Sequence, residues 1–493
     1  MKLKNQYILV NKKLPEKEGW NHIEIGEYNL YFDENITFNE VQEENGHYIL
    51  LGNLIHIYKE MNESNVLNNL QGLIHEQIFE ETSNWCGHFI LISKTDCIKI
   101  YNNACASFKI YYGNQGETKL IGSDPKILTL FSNFETATEG DKSIFYNSNY
   151  FQQNRNKIGN ETRYHEIFQV VSNHCLDLNS MKSIRMFPKH KRETLTVDEA
   201  IKELVPIFQH IIRNLEKHYN LFVSMTAGYD SRLLISTTKK IKDKITYYTI
   251  KFPTNKSNHI DYKIPKLISK KLKLNYVLKN LNPFMTSVER NNIENTYDLP
   301  RLKSFIQYQY PYFKNTKKNK KNKNKKDILL VGVISEVAKN YLERINVSSG
   351  KDIVRSLHFP DNNYLESYFQ TWYHKNNTLI KNLDYELLDF LHWEQDITNY
   401  AGQNIQYAHH YQPIFSIFNC RKVLEIMLSV DPKYRDTKSP ILYKRLIDYM
   451  WSDLLNFPFN PTIKEKTILF LKKIKMYRLY KWFLIKFYSK KLK

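Results

Sequence analysis

Long apolar runs are missing from this chain of 493 residues. No stretch approaches the roughly 18 consecutive apolar residues of a membrane span, and the opening MKLKNQYILVNKK lacks the apolar centre of a secretory signal. The expectation is a cytoplasmic protein, soluble or lying against a membrane surface. Cysteine is also scarce. Cys86, Cys97, Cys105, Cys175 and Cys420 are odd in number and include no CxxC pair, which argues against a zinc ribbon or disulfide scaffold and fits a reducing compartment. The length exceeds what one core usually fills, so two domains are expected.

Acidic residues are absent where basic ones gather. Residues 314–326, KNTKKNKKNKNKK, hold eight lysines and no acid, and residues 464–493 hold eleven Lys or Arg against Glu465 alone. These two segments carry a net +18 of the formal +20, so the rest of the chain is close to neutral. A basic nucleic-acid-binding body is thereby disfavoured, and no nucleic-acid partner is expected. The Lys/Asn run has nothing apolar to bury and reads as a disordered, solvated loop. ILFLKKIKMYRLYKWFLIKFYSKKLK, near the C-terminus, interleaves bulky apolar residues with lysines. It reads either as a basic amphipathic helix on an anionic membrane, the inner face by the cytoplasmic expectation, or as a terminal helix packed on the body.

From Tyr48 to about Leu128 the chain reads as short strands with polar breaks, including HYILLGNLIHIYKE, GHFILISKTD and a turn at Gly113–Gly116. That alternation predicts a mainly antiparallel domain. A second organisation begins at the capping box Thr196-Val-Asp-Glu199, followed by Ile201, Leu204, Ile207, Ile211 and Leu215 at helical spacing. Then come the strand of LFVSMTAGYDSR (221–232), a helix from Ser231, a strand at 245–252, a helix near 261–273, a strand at LNYVLKNL and a strand at 328–333. Strands alternating with helices predict a parallel sheet covered on both faces, with its ligand at the carboxyl ends of the strands.

The turn in LFVSMTAGYDSR sits at such an end. Thr226, Ala227 and Gly228 are small enough for backbone N–H groups to approach a ligand, and the following helix aims its positive end there. Phosphate suits that environment. The turn is not a GxxxxGK[ST] loop, since no lysine follows the glycine. Asp230 would repel phosphate directly, so its plausible task is to hold a magnesium ion that bridges phosphates. An ordinary strand-to-helix turn capped by an Asp would show the same residues. Arg232 could reach a phosphate or a substrate carboxylate, or could cover a sheet edge. His409-His410 have no metal-ligand spacing to another His or Cys and read as a helix-end or core feature.

TAGYDSR resembles the SGGxDS pyrophosphate loop of asparagine synthetase-like enzymes, the N-type ATP pyrophosphatases. ITYYTIKF with HIDYKIPKLISKKLKLNYV is similar to that family's second strand and helix. ILLVGVISEVAKNYL stands where the family has GEGADE, and QPIFSIFNCRKVLEIMLSVDPKYR with ILYKRLIDYMWSDLL is similar to its helical C-terminal part. Upstream, Gly87-His-Phe, IYYGN and GSDPKIL resemble strands of the class II glutamine amidotransferase domain that usually precedes it, and HEIFQVVSNHCLDLNSMKSIRMFP resembles the connecting segment. The likeness covers roughly residues 45–460.

The resemblance implies an α/β fold. An N-terminal αββα Ntn-hydrolase-like antiparallel sandwich (1–180) would be joined by a connector (181–195) to a parallel-sheet, PP-loop adenine-nucleotide α-hydrolase-like domain with a helical C-terminal part (196–460). The basic helix (461–493) would follow. It implies ATP and Mg2+ as cofactors, with the nucleotide against Ser224, Thr226, Ala227, Gly228, Tyr229, Asp230, Ser231, Ile250 and Gly332. Asp230 and Glu336 would be metal ligands, and Glu336 and Arg232 catalytic. The implied reaction joins a carboxylate-bearing small molecule, glycan or peptide to ammonia or an amine, through an acyl-adenylate.

Three departures stand out. Residue 2 is Lys, not the cysteine a glutaminase of this class uses as nucleophile, so glutamine hydrolysis is expected to be absent. The GEGADE-like loop, Gly332-Val-Ile-Ser-Glu336, keeps a glycine and a glutamate but lacks the Asp-Glu pair. NFPFNP has no lysine where the family stabilises leaving pyrophosphate; Lys438 and Lys464 flank it. The expected function is an amide-forming ligase, with amidation of a sugar acid in surface polysaccharide assembly as the working substrate class. A peptide or small-molecule cyclase, or an inactive scaffold, are the alternatives.

Overall fold

A computed structural model describes residues 4–60, 63–154, 157–252, 255–256, 259–280, 286–298, 325–340, 342 and 346–461. The loop expected at 314–326 lies outside these residues except for Lys325 and Lys326, and the basic segment 464–493 lies outside them altogether. Among the described residues no helix is long and apolar enough to cross a membrane.

The N-terminal part is two six-stranded sheets whose paired strands run antiparallel. One is ordered Phe168–Gln169, Tyr111–Gln115, Thr118–Gly122, Tyr7–Val10, Tyr28–Asp33 and Trp20–Ile25; the other Lys182–Arg185, His174–Asp177, Ile98–Asn102, Trp85–Lys94, Gly46–His56 and Phe38–Glu43. The period-two alternation of a strand fixes what each face buries. Ile49, Leu51, Ile90, Ile92 and Ile100 meet Tyr7, Leu9, Leu30, Phe32 and Ile121 between the sheets. Tyr48, Leu50, Phe89, Leu91 and Tyr101 point the other way, against the helix His75–Ser83 and the core of the next domain. Ile8, Val10 and Leu120, outside the first sheet, pack on Ile127 and Leu128 of the short helix Pro125–Thr129.

Several sequence expectations need correcting here. Four strands precede Tyr48. The turn expected at Gly113–Gly116 falls later, because Tyr111–Gln115 runs to its pairing with Thr118–Gly122 and Gly116 supplies the positive φ of 58°. The N-terminal sheet also extends past residue 180: Lys182–Arg185 pairs with His174–Asp177, so the first domain takes in the start of the expected connector.

The second part is a five-stranded parallel sheet in the order Tyr276–Asn280, Thr246–Lys251, Tyr219–Ser224, Lys326–Leu330, Ile414–Phe415. The chain starts in the centre, builds outward on one side and then returns to build on the other. The switch point of this doubly wound sheet therefore lies between Tyr219–Ser224 and Lys326–Leu330, where such sheets bind ligands. Within the segment likened to a helical C-terminal part, Ile414–Phe415 is the edge strand of this sheet and the helix Arg421–Leu428 follows it. The helix Val197–His218 opens with the expected box, Glu199 N–H donating to Thr196 Oγ1 at 3.3 Å and Thr196 N–H to Glu199 Oε2 at 2.8 Å. Its apolar stripe, Ile201, Leu204, Ile207, Ile211 and Leu215, is buried.

Asn419 joins the two parts: its side chain accepts from Cys105 N–H at 3.0 Å and donates to the Gly87 carbonyl, and its own carbonyl accepts from Gly87 N–H at 3.2 Å. The capping box sits on an exposed helix end, so Thr196→Ala should lower stability by about 1 kcal/mol with no change of fold. Calorimetric melting checks this, and an unchanged melting temperature would mean the box contributes nothing.

Candidate functional site

Two loops leave the carboxyl ends of the adjacent strands at the switch point. The first runs from Ser224, the last residue of its strand, through Met225–Gly228 into the helix Tyr229–Ser236, which starts two residues before the Ser231 expected from sequence. The second follows Lys326–Leu330 and carries Gly332 into the tight turn Ser335–Ala338. The loops touch at Gly332. A Cβ there would lie 2.8 Å from the Asp230 carbonyl carbon and 2.9 Å from Ser231 N, so only glycine permits this approach.

That contact delivers Asp230 to the second loop. Its Oδ1 accepts from Ser335 Oγ at 2.6 Å and its Oδ2 from Lys339 Nζ at 2.7 Å. Lys339 is almost wholly buried and lies over the Tyr443 ring at 5.7 Å. Glu336 belongs to the same cluster. Burial, reinforced by the charge of Asp230 and opposed by Lys339, pushes its carboxyl up to about 7. Its Oε2 is sealed from solvent and has no hydrogen-bond partner among the described residues.

The first loop is braced by its own side chains. Thr226 N–H donates to Ser231 Oγ at 3.2 Å, Ala227 N–H to Asp261 Oδ1 at 2.9 Å, and Gly228 N–H to Thr226 Oγ1 at 3.3 Å. Three amides that sequence assigns to a phosphate are thus held internally. An anion at this end of the helix would meet the positive end of its dipole.

Arg232, expected to be catalytic, is placed otherwise. It is fully buried, donates to the carbonyls of Ala227, Leu454, Phe457 and Pro458 at 2.9–3.3 Å, and stacks on Phe459 at 4.1 Å. Burial pulls its guanidinium down to about 10. Arg232 therefore ties NFPFNP to the back of the loop. Phe459 also stacks on Tyr229 at 4.1 Å, Asn460 N–H donates to the Ala227 carbonyl at 3.2 Å, and the Asn460 side chain stands over Gly228.

Ile250 lies partly buried near the carboxyl end of the next strand. Lys438 is exposed, while Lys464 lies outside the described residues. Among the described residues, lysines near the loop include Lys339 and Lys444, the latter 5.9 Å from the Tyr229 ring. Sequence reasoning missed Lys339, Ser335 and Asp261. Their one signal was adjacency to strand ends, Lys339 three residues beyond Glu336 and Asp261 in the first turn of the helix after Thr246–Lys251. His409 and His410 are partly buried at the end of the helix Gln403–His409: His409 stacks on His88 at 3.8 Å, and burial pulls both His409 and His410 down to about 4.

No protein-family model matches the chain, and no curated protein does. Similar solved structures include that of the allosteric regulatory enzyme of purine biosynthesis (12% identity, 59% of this chain and 64% of that chain, TM-score 0.24). Another is the glutamine phosphoribosylpyrophosphate amidotransferase of B. subtilis in complex with ADP and GMP (11% identity, 68% and 71%, TM-score 0.22). The chain spans just under two thirds of the first of these. A likeness at such scores says nothing about chemistry.

The position of Glu336 gives a pH dependence. An acid whose folded pKa is raised from 4.5 to about 7 holds its proton more tightly folded than unfolded. Its contribution to stability is therefore greatest below 4.5, is lost as pH rises, and is gone above about 7. Relative to Glu336→Gln, the wild-type melting temperature should fall between about pH 5 and about pH 8. Parallel curves would show that Glu336 ionises as an ordinary carboxyl.

Proposed function

We propose that the chain is an ATP-dependent amide-forming ligase of the asparagine synthetase-like kind. It would activate a carboxylic acid as the acyl-adenylate, release pyrophosphate, and pass the acyl group to ammonia or an amine. The observation that supports this most is the meeting of Asp230, Ser335, Glu336 and Lys339 beside a helix N-terminus at the switch point. The unpartnered Glu336 Oε2, next to the Asp230 carboxylate, makes an oxygen donor set of the kind magnesium accepts. Bound there, the ion would neutralise charge on the phosphates of ATP.

The chain's own groups have definable tasks. Helix-start amides and Lys339 supply positive character at an anion site. Glu336, near 7, either completes the ion's ligands or takes the proton of the incoming amine at neutral pH. Arg232 is a positioning residue, fixing the loop through backbone carbonyls. The cysteines do not suit a glutaminase: burial pushes Cys105, Cys175 and Cys420 up to about 12, Cys86 well above its ordinary range, and Cys97 upward as well. Nitrogen would then come from free ammonia or from a substrate amine. The segment 464–493 would bring the enzyme to an anionic membrane face.

A second reading, an inert scaffold, draws on one observation: the loop amides, Asp230 and the loop's outer side are all engaged by the chain itself.

ATP–pyrophosphate exchange with magnesium separates the two. Across a panel of sugar acids, amino acids and peptides, exchange should depend on one acid and should fall at least about a hundredfold in Asp230→Ala. No exchange with any acid, together with no ATP binding by calorimetry, would establish the scaffold.

A further inference from the structure

A cleft of about 650 Å³ opens between the antiparallel sandwich and the helical part of the second domain. It shares no lining residue with the loops at the switch point. One wall is the helix Asn363–Asn382, which presents Tyr364, Tyr368 and Trp372 to the cleft. These aromatics recur every fourth residue, about 6 Å apart along the helix axis. All three are only partly buried: each packs on one side against the neighbouring apolar core, and the ring surface that lines the cleft is what a ligand could meet.

The opposite wall and floor are polar and held rigid. Glu394 is buried, and Arg185 grips it with two nitrogens at 2.6 and 2.7 Å while Trp372 Nε1 donates to it at 3.2 Å. Burial alone would raise the Glu394 carboxyl, but the guanidinium holds it below its ordinary value. Glu394 and Gln395 belong to the π-helical segment His392–Gly402, a winding used sparingly and often at functional sites. Gln395 pins the far rim, accepting from Gly159 N–H at 2.5 Å and donating to the Lys157 carbonyl at 2.8 Å. Glu161 on that rim is paired with Lys142 at 2.7 Å and receives Tyr364 Oη at 3.3 Å.

Charge decides the ligand class. Arg185 is neutralised by Glu394 and Glu161 by Lys142. Burial pulls His174, also in the lining, down to about 4, so it is neutral at physiological pH. The walls are thus charge-paired, and Lys375, exposed in the lining, adds a cation that an acidic sugar could also meet. The cleft offers flat apolar faces on one side and fixed carboxylate, amide and hydroxyl groups on the other. That pairing suits a ring with apolar C–H faces and a hydroxylated edge. We propose that the cleft binds a pyranose-containing glycan, its sugar rings stacked on Tyr364, Tyr368 and Trp372. The inference stands apart from the ligase reading; if both hold, the glycan carries the acid or the amine to be joined.

The test uses the full-length protein and three probes, maltohexaose, chitohexaose and hexagalacturonate, followed by saturation-transfer NMR and calorimetry. At least one should bind, with saturation concentrated on ring protons. Trp372→Ala and Ser367→Trp, the latter an exposed position on the same helix that would fill the cleft, should each weaken it about tenfold or more. Melting temperature reports whether either variant is misfolded. No binding of any probe up to about 5 mM overturns the proposal, as does binding that neither variant alters. Asp230→Ala should leave glycan binding intact; wild-type protein that binds a glycan but shows no pyrophosphate exchange fails the ligase reading alone, and exchange without glycan binding fails this one alone.

Discussion

The ion pair between Asp230 and Lys339 is the constraint on which the site depends. It joins two loops that leave neighbouring parallel strands and would otherwise diverge. Its side chains are 24% and 9% exposed. Taking two charges that far from water is costly unless the geometry is good and the remaining lone pairs are used. Both conditions are met: the Oδ2 contact is 2.7 Å, and Ser335 satisfies Oδ1 at 2.6 Å. Gly332 makes the arrangement possible, because any side chain there would separate the loops before the charges could meet.

The same pair defines the problem a ligand must solve. Lys339 occupies the position in which a divalent cation would balance Asp230, and the loop amides are satisfied by Ser231, Asp261 and Thr226. Binding here is therefore an exchange of partners. A phosphate gains only the difference between its own contacts and those it displaces. The Oε2 atom of Glu336 tilts that balance. A buried oxygen without a partner is already destabilising, so a cation that reaches it relieves a cost as well as adding an interaction.

Much of this architecture was legible in the sequence, for reasons that can be named. The apolar strand ending in TAGYDS and the alternation of strands with capped helices follow from local pattern, and the sheet and loop appear where that pattern puts them. Lys339 and Asp261 were not legible. A lysine in SEVAK and an aspartate in HIDYK look like surface residues until the topology brings strand ends together. Arg232 shows the reverse failure: an arginine after a phosphate-like loop suggests a ligand contact, whereas packing of residues 454–458 buries it against carbonyls. The strand Tyr7–Val10 was missed because only four residues separate flanking polar segments, and its identity comes from pairing with Tyr28–Asp33 and Thr118–Gly122.

The cleft and the loops are far apart in sequence, but a continuous set of buried groups lies between them. Leu391 lines the cleft at the end of the helix Leu387–Leu391, and Asp389 of that helix binds Arg435 Nη2 at 2.9 Å. Arg435 in turn donates to the Ala338 carbonyl at 3.0 Å, and its own carbonyl accepts from Asn340 N–H at 3.0 Å, so it grips the chain on both sides of Lys339. A path of contacts transmits nothing by itself; it requires an element with two arrangements that both sites can bias. An anion or cation that competed for the Asp230–Lys339 pair would act next to the turn Ser335–Ala338, which Ser335 Oγ on Asp230, Tyr443 Oη on the Ser335 carbonyl and Arg435 on the Ala338 carbonyl would still hold.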